Sequence, residues 1–332
     1  MKVLFVTNLW PDDVRPWYGT FVITQARSLE ALGVDVSVLS IPGYAGRGEY
    51  LRAARRVLRL NTGCRFDVVH GHYGHAALVA RLQVRAPLVI TYWGSDLRRD
   101  RRAPDHLSLK TQAEAEVFRQ LARVSAATMT QSEQMHRALP RSTRRRDHVV
   151  PAGIDLDRFT PLDRDEARRR LGWSLDEKVV LFGADPDRPR KNYPLAEEVV
   201  RRAARSDGEV RLRVAWGLPP EDVPTWLSAA DALLFPSHYE GSANVIKEAM
   251  AVELPVVATP AGDAEERLDG VPGCYVGPWD AETLTQGLRR ALDHGRSPAA
   301  REAVAPLGMT AVAERVLGVY ESVLAGGSRA RA

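Results

Sequence analysis

Short, almost uninterrupted apolar runs alternate with longer segments of mixed polarity from one end of the chain to the other. Runs at 3–7, 35–41, 67–70, 87–92, 126–131 and 148–151 read as strands, and a second series follows at 178–183, 210–216, 231–236, 255–259 and 274–277. Strands that are apolar throughout are buried on both faces, the habit of parallel sheets covered by helices. Helical spacing supplies one such cover: Val22, Ala26, Leu29 and Leu32 share a face, and Gly33 ends the run. The pattern predicts an α/β protein of two Rossmann-like domains with parallel sheets. Between the two series, Pro and Gly stops and a polar helix start place the boundary near residues 155–165, giving domains at 1–155 and 156–308. Val312, Val316, Val319 and Val323 form the stripe of a C-terminal helix over 309–326, which is expected to pack back across the domains.

A length of 332 residues agrees with two domains, and 45% hydrophobic with 27% charged residues is enough for packed cores. No run approaches the ~18 apolar residues of a membrane span, and the opening KVLFVTNLW lacks a signal peptide's long apolar region, so a cytoplasmic, non-spanning protein is expected. Cys64 and Cys274 lie far apart and outside any CxxC pair, which excludes a disulfide framework or zinc ribbon and leaves two small, buried apolar residues. The net charge of +4 admits an anionic partner without naming it. Only five of the 46 basic residues are lysines, so the arginine runs at 98–102 and 141–146 reflect overall composition, and each lysine, Lys191 and Lys247 among them, stands out.

Two places carry candidate chemistry. Gly19 and Thr20 open a helix after a long loop that follows the first strand, setting free N–H groups at the carboxyl edge of a sheet, where an anion would bind. No GxGxxG fingerprint is present, which argues against an NAD oxidoreductase. The second place is DALLFPSHYEGSANVIKEAMAVELPVVATPAG. A buried strand ends at Pro236, a loop carries Glu240, Gly241 and Ser242, and a helix begins near Ser242 or Asn244, either of them a good N-cap. Glu248 lies about one turn inside and leans back toward the N–H groups of Ala243, Asn244, Val245 and Ile246. Two carboxylates flanking an anion site fit a nucleotide whose sugar hydroxyls need acceptors and whose diphosphate needs donors. Taken alone, the same spacing also describes two solvated glutamates around a helix start.

That segment resembles the Glu-x7-Glu signature of retaining glycosyltransferases, specifically glycosyltransferase family 4, whose GT-B architecture sets two Rossmann-like domains face to face across a cleft. GTFVITQARSLEALGVDVSVLS, VVHGHYGHAALVA, PLVITYWGSDL, VVPAGIDLDRFTP and LFGADPDRPRKNY are similar to other parts of the family, in the family's order. The resemblance implies a nucleotide-sugar donor, with UDP or GDP as its nucleotide, and no further cofactor. It makes Glu248 the acceptor for the ribose hydroxyls, Glu240 the residue that orients the transferred sugar, and Lys191 a ligand of the diphosphate beside Ser242, the following helix N–H groups and Gly19. The family's second basic residue would fall at Ala184, so Arg188 or Arg190 takes its place. His72, Trp93 and Asp96 are expected at the acceptor or sugar cleft, with Trp93 standing where many family members have histidine.

No metal is expected. The DPD at 185–187 and DLD at 155–157 are chance matches to an Asp-x-Asp metal motif, and His70, His72 and His75 lack a fourth ligand. Without an obvious nucleophile for double displacement, front-face attack is favoured, with the leaving phosphate taking the acceptor's proton. A small natural product, an envelope saccharide and a lipid-linked saccharide all remain open as acceptors. The competing readings are a nucleotide-sugar epimerase or a phosphorylase of the same fold, and a basic protein binding nucleic acid or a membrane surface through LRAARRVLRL at 51–60. Under the main reading nucleic acid is no partner and peripheral membrane contact is an accessory.

Overall fold

The computed structural model describes residues 1–13, 18–63, 65–98, 108–207 and 209–329. The chain divides into two compact units: the first takes the described residues up to Gly153 together with the segment from Met309 onward, the second Ile154–Gly308. The first unit holds β1 (Lys2–Thr7), β2 (Asp35–Ser40), β3 (Val68–His72), β4 (Leu88–Thr91), β5 (Ala127–Thr130) and β6 (Asp147–Val149) in the order β2-β1-β3-β4-β5-β6. All neighbours pair in parallel. The second holds β7 (Lys178–Phe182), β8 (Val210–Val214), β9 (Ala232–Phe235), β10 (Val256–Ala258) and β11 (Tyr275–Val276) in the order β11-β10-β9-β7-β8, again all parallel.

Counted from its own first strand, the first sheet runs 2-1-3-4-5-6 and the second 2-1-3-4-5. The order therefore reverses between β1 and β3 in one unit and between β7 and β9 in the other. At such a reversal the connections leave toward opposite faces and open a crevice beyond the carboxyl ends of the strands, where open parallel sheets bind ligands. The central strands are apolar because helices cover both faces: Val3, Phe5 and Val6 in β1, and every residue of β7 after Lys178, are fully buried, whereas the edge strands β2, β6 and β8 alternate with polar residues.

One feature differs from the sequence pattern. β3 runs to His72 and not to residue 70, because its ladders pair His72 with Thr7 on one side and Thr91 on the other. Gly71 allows this, since a Cβ there would lie 2.7 Å from the Cα of Ala77. The C-terminal helix, Met309–Arg329, lies on the helix Thr20–Ala31 and buries Val312, Val316, Val319 and Tyr320 within the first unit. Tyr320 places its hydroxyl 2.6 Å from Nδ1 of His70, whose Nε2 is 2.7 Å from the Thr91 hydroxyl. With both ring nitrogens paired and burial pushing its pKa to about 3, His70 is a neutral structural residue.

Two of the arginines in the run at 141–146 are tied to backbone. Arg144 donates to the carbonyls of Leu139 and Arg137, and Arg146 to those of Ser125 and Arg123. In the run at 98–102 Arg98 is buried, and the remaining positions lie outside the described residues, as does Cys64. Cys274 is half-buried, and burial raises its thiol pKa.

Candidate functional site

In the second unit, charged loops leave both strands that flank the reversal. β7 is followed by Gly183, where a Cβ would fall 2.5 Å from Cγ2 of Val245; glycine lets the helix Asn244–Ala251 close on the strand end. The loop runs on to a short turn at Pro189–Lys191, and the loop after β9 brings Glu240 back to meet it. Glu240, buried, accepts hydrogen bonds from Lys191 Nζ at 2.6 Å and Arg190 Nη1 at 3.1 Å. Burial alone would raise the Glu240 pKa, but Lys191 and Arg190 outweigh it and hold the carboxyl below its ordinary range. Burial in turn lowers the Lys191 pKa, countered by Glu240, and the ammonium sits 4.8 Å over the Phe235 ring.

Of the two arginines the sequence left open, Arg190 is the one gathered with Lys191 and Glu240. Arg188 faces solvent, paired with Asp185 at 3.2 Å and 5.9 Å from the Trp216 ring. Asp185 also accepts from the Asp187 N–H, and Asp155 from those of Asp157 and Arg158, so the first carboxylate of each Asp-x-Asp match shapes a turn. Among the described residues no three His, Cys, Asp or Glu side chains could hold a metal ion.

Neither expected N-cap serves the helix Asn244–Ala251. Its cap position is Ala243, no side chain caps it, and Asn244 is its first helical residue. Ser242 instead donates its hydroxyl to Asp263 Oδ2 at 2.8 Å, because a buried carboxylate competes successfully for that proton. The N–H groups of Asn244 and Val245 are therefore left without a side-chain acceptor, beside Lys191's loop, with Ile246 N–H bonded back to Ala243 at 3.2 Å. One turn in, Glu248 is half-buried, and its carboxylate has no hydrogen-bond partner among the described residues. Burial raises its pKa to about 6, with Lys247 and Arg158 pulling the other way. The two glutamates thus sit in opposite environments, Glu240 held ionised by cations and Glu248 shifted toward its protonated form by burial.

The sequence did not reveal the role of Lys247. It is fully buried, its pKa pushed down to about 8 by burial against the pull of Asp263 and Glu248. Only the rarity of lysine marked it, since its charge partner Asp263 lies beyond the next strand.

In the first unit the helix Thr20–Ala31 begins at Gly19, at φ 68° and with no side-chain cap. A Cβ at Gly19 would stand 2.3 Å from the Leu9 carbonyl oxygen, so only glycine lets this helix start press against the end of β1. His72, at the end of β3, is fully buried and neutral, its pKa driven well down by burial and by His70. Its ring lies 3.9 Å from that of His70 and 6.0 Å from that of Trp93, centroid to centroid, and neither ring nitrogen has a partner. Trp93, just past β4, packs on Phe21 at 4.4 Å, and its Nε1 is also buried and unpaired. Asn8 Oδ1 and Gln25 Oε1 are in the same condition. Buried polar atoms are normally satisfied, so this group, on residues at or beside the ends of β1, β3 and β4 and in the helix Thr20–Ala31, marks a place for a polar ligand or water. Asp96 has a different part. Its buried carboxylate accepts from the N–H groups of Trp93 at 3.1 Å and Gly94 at 3.0 Å, and burial raises its pKa to about 6. It braces the turn that carries Trp93.

Comparisons with known proteins bear on the family and the fold. A family model described as Glycosyltransferase Family 4 matches residues 21–158, and one described as Glycosyl transferases group 1 matches residues 166–294. TuaC of Bacillus subtilis, named for teichuronic acid biosynthesis, is 23% identical over 87% of this chain and 89% of its own. A D-inositol 3-phosphate glycosyltransferase of Frankia alni is 29% identical over 92% of this chain and 94% of its own. Among solved structures, sucrose-phosphate synthase from Thermosynechococcus elongatus aligns with a TM-score of 0.81 over 98% of this chain and 99% of its own, at 17% identity. Anabaena HepE, in complex with UDP and glucose, aligns with a TM-score of 0.66 over 97% of this chain and 99% of its own, at 16% identity. No helix among the described residues is long and apolar enough to cross a membrane.

Proposed function

The chain belongs to glycosyltransferase family 4 and has the GT-B fold, and on that premise we propose that it transfers a sugar from a nucleoside diphosphate sugar to an acceptor hydroxyl with retention of anomeric configuration. The observation that carries this reading is the cluster at the β7/β9 reversal: Lys191 and Arg190 on Glu240, an uncapped helix start, and a half-buried Glu248 with no protein donor on its carboxylate among the described residues. The diphosphate is bound by Lys191, Arg190 and the N–H groups of Asn244 and Val245, and Glu248 accepts from the ribose hydroxyls. Glu240, released in part from its cations by the arriving phosphates, turns to the hydroxyls of the transferred sugar.

As the bond from the anomeric carbon to the leaving phosphate oxygen breaks, negative charge grows on the diphosphate, and Lys191 and Arg190 stabilise it. The acceptor oxygen forms its bond on the same face, and its proton passes to the leaving phosphate oxygen. The complexes of HepE with UDP and with UDP-glucose support a uridine donor, with a guanosine donor as the alternative. The names of TuaC and of the D-inositol 3-phosphate enzymes support an envelope saccharide or small polyol as acceptor.

A thermal-shift panel of UDP, GDP and their sugars in EDTA tests the donor site. Ligand at 100 times its dissociation constant adds about 2.7 kcal/mol of stability, and no shift with any nucleoside diphosphate overturns the reading. Proton NMR of the glycoside formed tests retention; a product inverted relative to the donor overturns it.

A further inference from the structure

Under residues 240–248 lie two opposite charges that the proposed chemistry does not use. Lys247, in the helix Asn244–Ala251, and Asp263, past the end of β10, are both fully buried. Asp263 is the foremost of the charges that favour the protonated lysine against burial. Taking two charges out of water is costly, and apolar side chains of similar size often replace such a pair with no loss of stability. Stability by itself therefore does not account for it.

The bonds of Asp263 show what else it does. It stands at the N-cap position of the helix Ala264–Leu268, where an aspartate ordinarily accepts from its own helix, yet no side chain caps that helix. Its carboxylate instead accepts the Ser242 hydroxyl at 2.8 Å and lies 3.5 Å from Arg267 Nε. The two backbones meet at the same place: Gly262, at φ 67°, is so close that a Cβ would stand 2.8 Å from the Gly241 carbonyl oxygen and 3.0 Å from Cβ of Glu240. Thr259 donates its hydroxyl to the Ser237 carbonyl at 2.6 Å. The loop carrying Glu240 is thus held by Lys191 and Arg190 on one side and by residues 259–263 on the other.

We propose that Asp263, steadied by Lys247, is a positioning residue for the donor site: through Ser242 it anchors residues 240–242, so that Glu240 keeps its place when phosphates draw Lys191 and Arg190 away. The inference rests on the reading of this loop as the donor site. In the empty protein the cations themselves tether Glu240. Once they turn to a diphosphate, the bonds from Asp263 and Thr259 still hold the loop, and a loop already in its bound position costs the ligand less to order.

Two double variants of the full chain separate positioning from stability. Lys247→Met/Asp263→Leu makes the pair apolar and removes the acceptor of Ser242, whereas Lys247→Met/Asp263→Asn also removes both charges but keeps an accepting oxygen. Arg267, partly exposed, retains Glu266 at 3.7 Å in both. Melting temperature, hydrogen exchange of residues 240–246 without ligand, and titration with UDP and GDP are compared with the original chain. The leucine variant should melt at or above the asparagine variant, yet exchange about tenfold faster in this loop and bind nucleotide about tenfold more weakly, the lower end for a hydrogen bond to a charged group. The asparagine variant should stay within about threefold of the original in both, since a neutral bond replaces the charged one. Ser242→Ala removes the same bond with the charges in place and should speed exchange by about the same factor as the leucine variant. Affinity that follows melting temperature across the two double variants overturns the proposal, as does unchanged exchange in the leucine variant and in Ser242→Ala. Faster exchange in both, with an original chain that binds neither nucleotide, supports the anchor and overturns the donor reading on which its use depends.

Discussion

Replacing Glu248 by glutamine should abolish most of the pH dependence of nucleotide binding between pH 5 and 7. Burial places the Glu248 carboxyl at about 6, above its ordinary 4.5. A group of that pKa is about 90% ionised at pH 7 and about 10% ionised at pH 5. If the ribose hydroxyls donate to the carboxylate, affinity falls about tenfold over that interval, and acid weakens binding. The unliganded fold responds in the opposite sense. A carboxyl raised on folding burdens the folded state above its folded pKa, and the burden fades as pH falls through 6 and is gone below 4.5, so this group's effect is to make the empty protein more stable in acid.

Glutamine keeps the shape and can still accept a hydrogen bond, but exchanges charge-assisted bonds for neutral ones. That loses about 1 kcal/mol or somewhat more, roughly five- to tenfold in affinity at pH 7 and little at pH 5. Isothermal titration of a nucleoside diphosphate into both proteins at pH 5, 6 and 7 gives the ratio of affinities. Taking the ratio removes the ligand's own phosphate titration, which is common to both. A ratio that stays constant across the three pH values refutes the placement of Glu248 on the ribose.

Lys191→Ala should lower kcat by about 100- to 1,000-fold, because the charge it faces grows in the transition state, while Arg190 remains on Glu240 and limits the loss of stability; a rise in KM at unchanged kcat refutes the role. Trp93→Phe should leave the melting temperature and activity nearly unchanged, since phenylalanine keeps a flat apolar wall packed on Phe21. Trp93→His should change donor or acceptor preference, and competing-substrate ratios that do not move, with stability and activity falling together in both variants, make Trp93 a packing residue. Asp96→Ala strands two backbone donors and should cost about 2–4 kcal/mol in denaturant unfolding. Asp96→Asn, which keeps one accepting oxygen, should cost less, and equal losses refute the bracing role.

The sequence alone carried the strands, because a strand covered on both faces must be apolar along its whole length, and it carried the Glu240–Glu248 segment, because helix start, loop and spacing are local. It also drew attention to Lys191 through the scarcity of lysine. Strand order was not there to be read: the same alternation of strand and helix fits several arrangements, and only the assembled sheets show that both begin 2-1-3-4-5 and so where each crevice lies. The C-terminal helix announced a face to cover but not the helix Thr20–Ala31 that covers it. Ser242 looked like a cap until folding brought Asp263 within 2.8 Å, and Arg188 and Arg190 looked alike until Glu240 arrived beside one of them. Glu240 and Glu248 have the same intrinsic acidity, and what separates them is which cations the fold sets near each and how much water it removes. Periodicity and capping act over a few residues and are written in order along the chain, whereas charge pairing and desolvation depend on distances in space, which only the assembled sheets and helices fix.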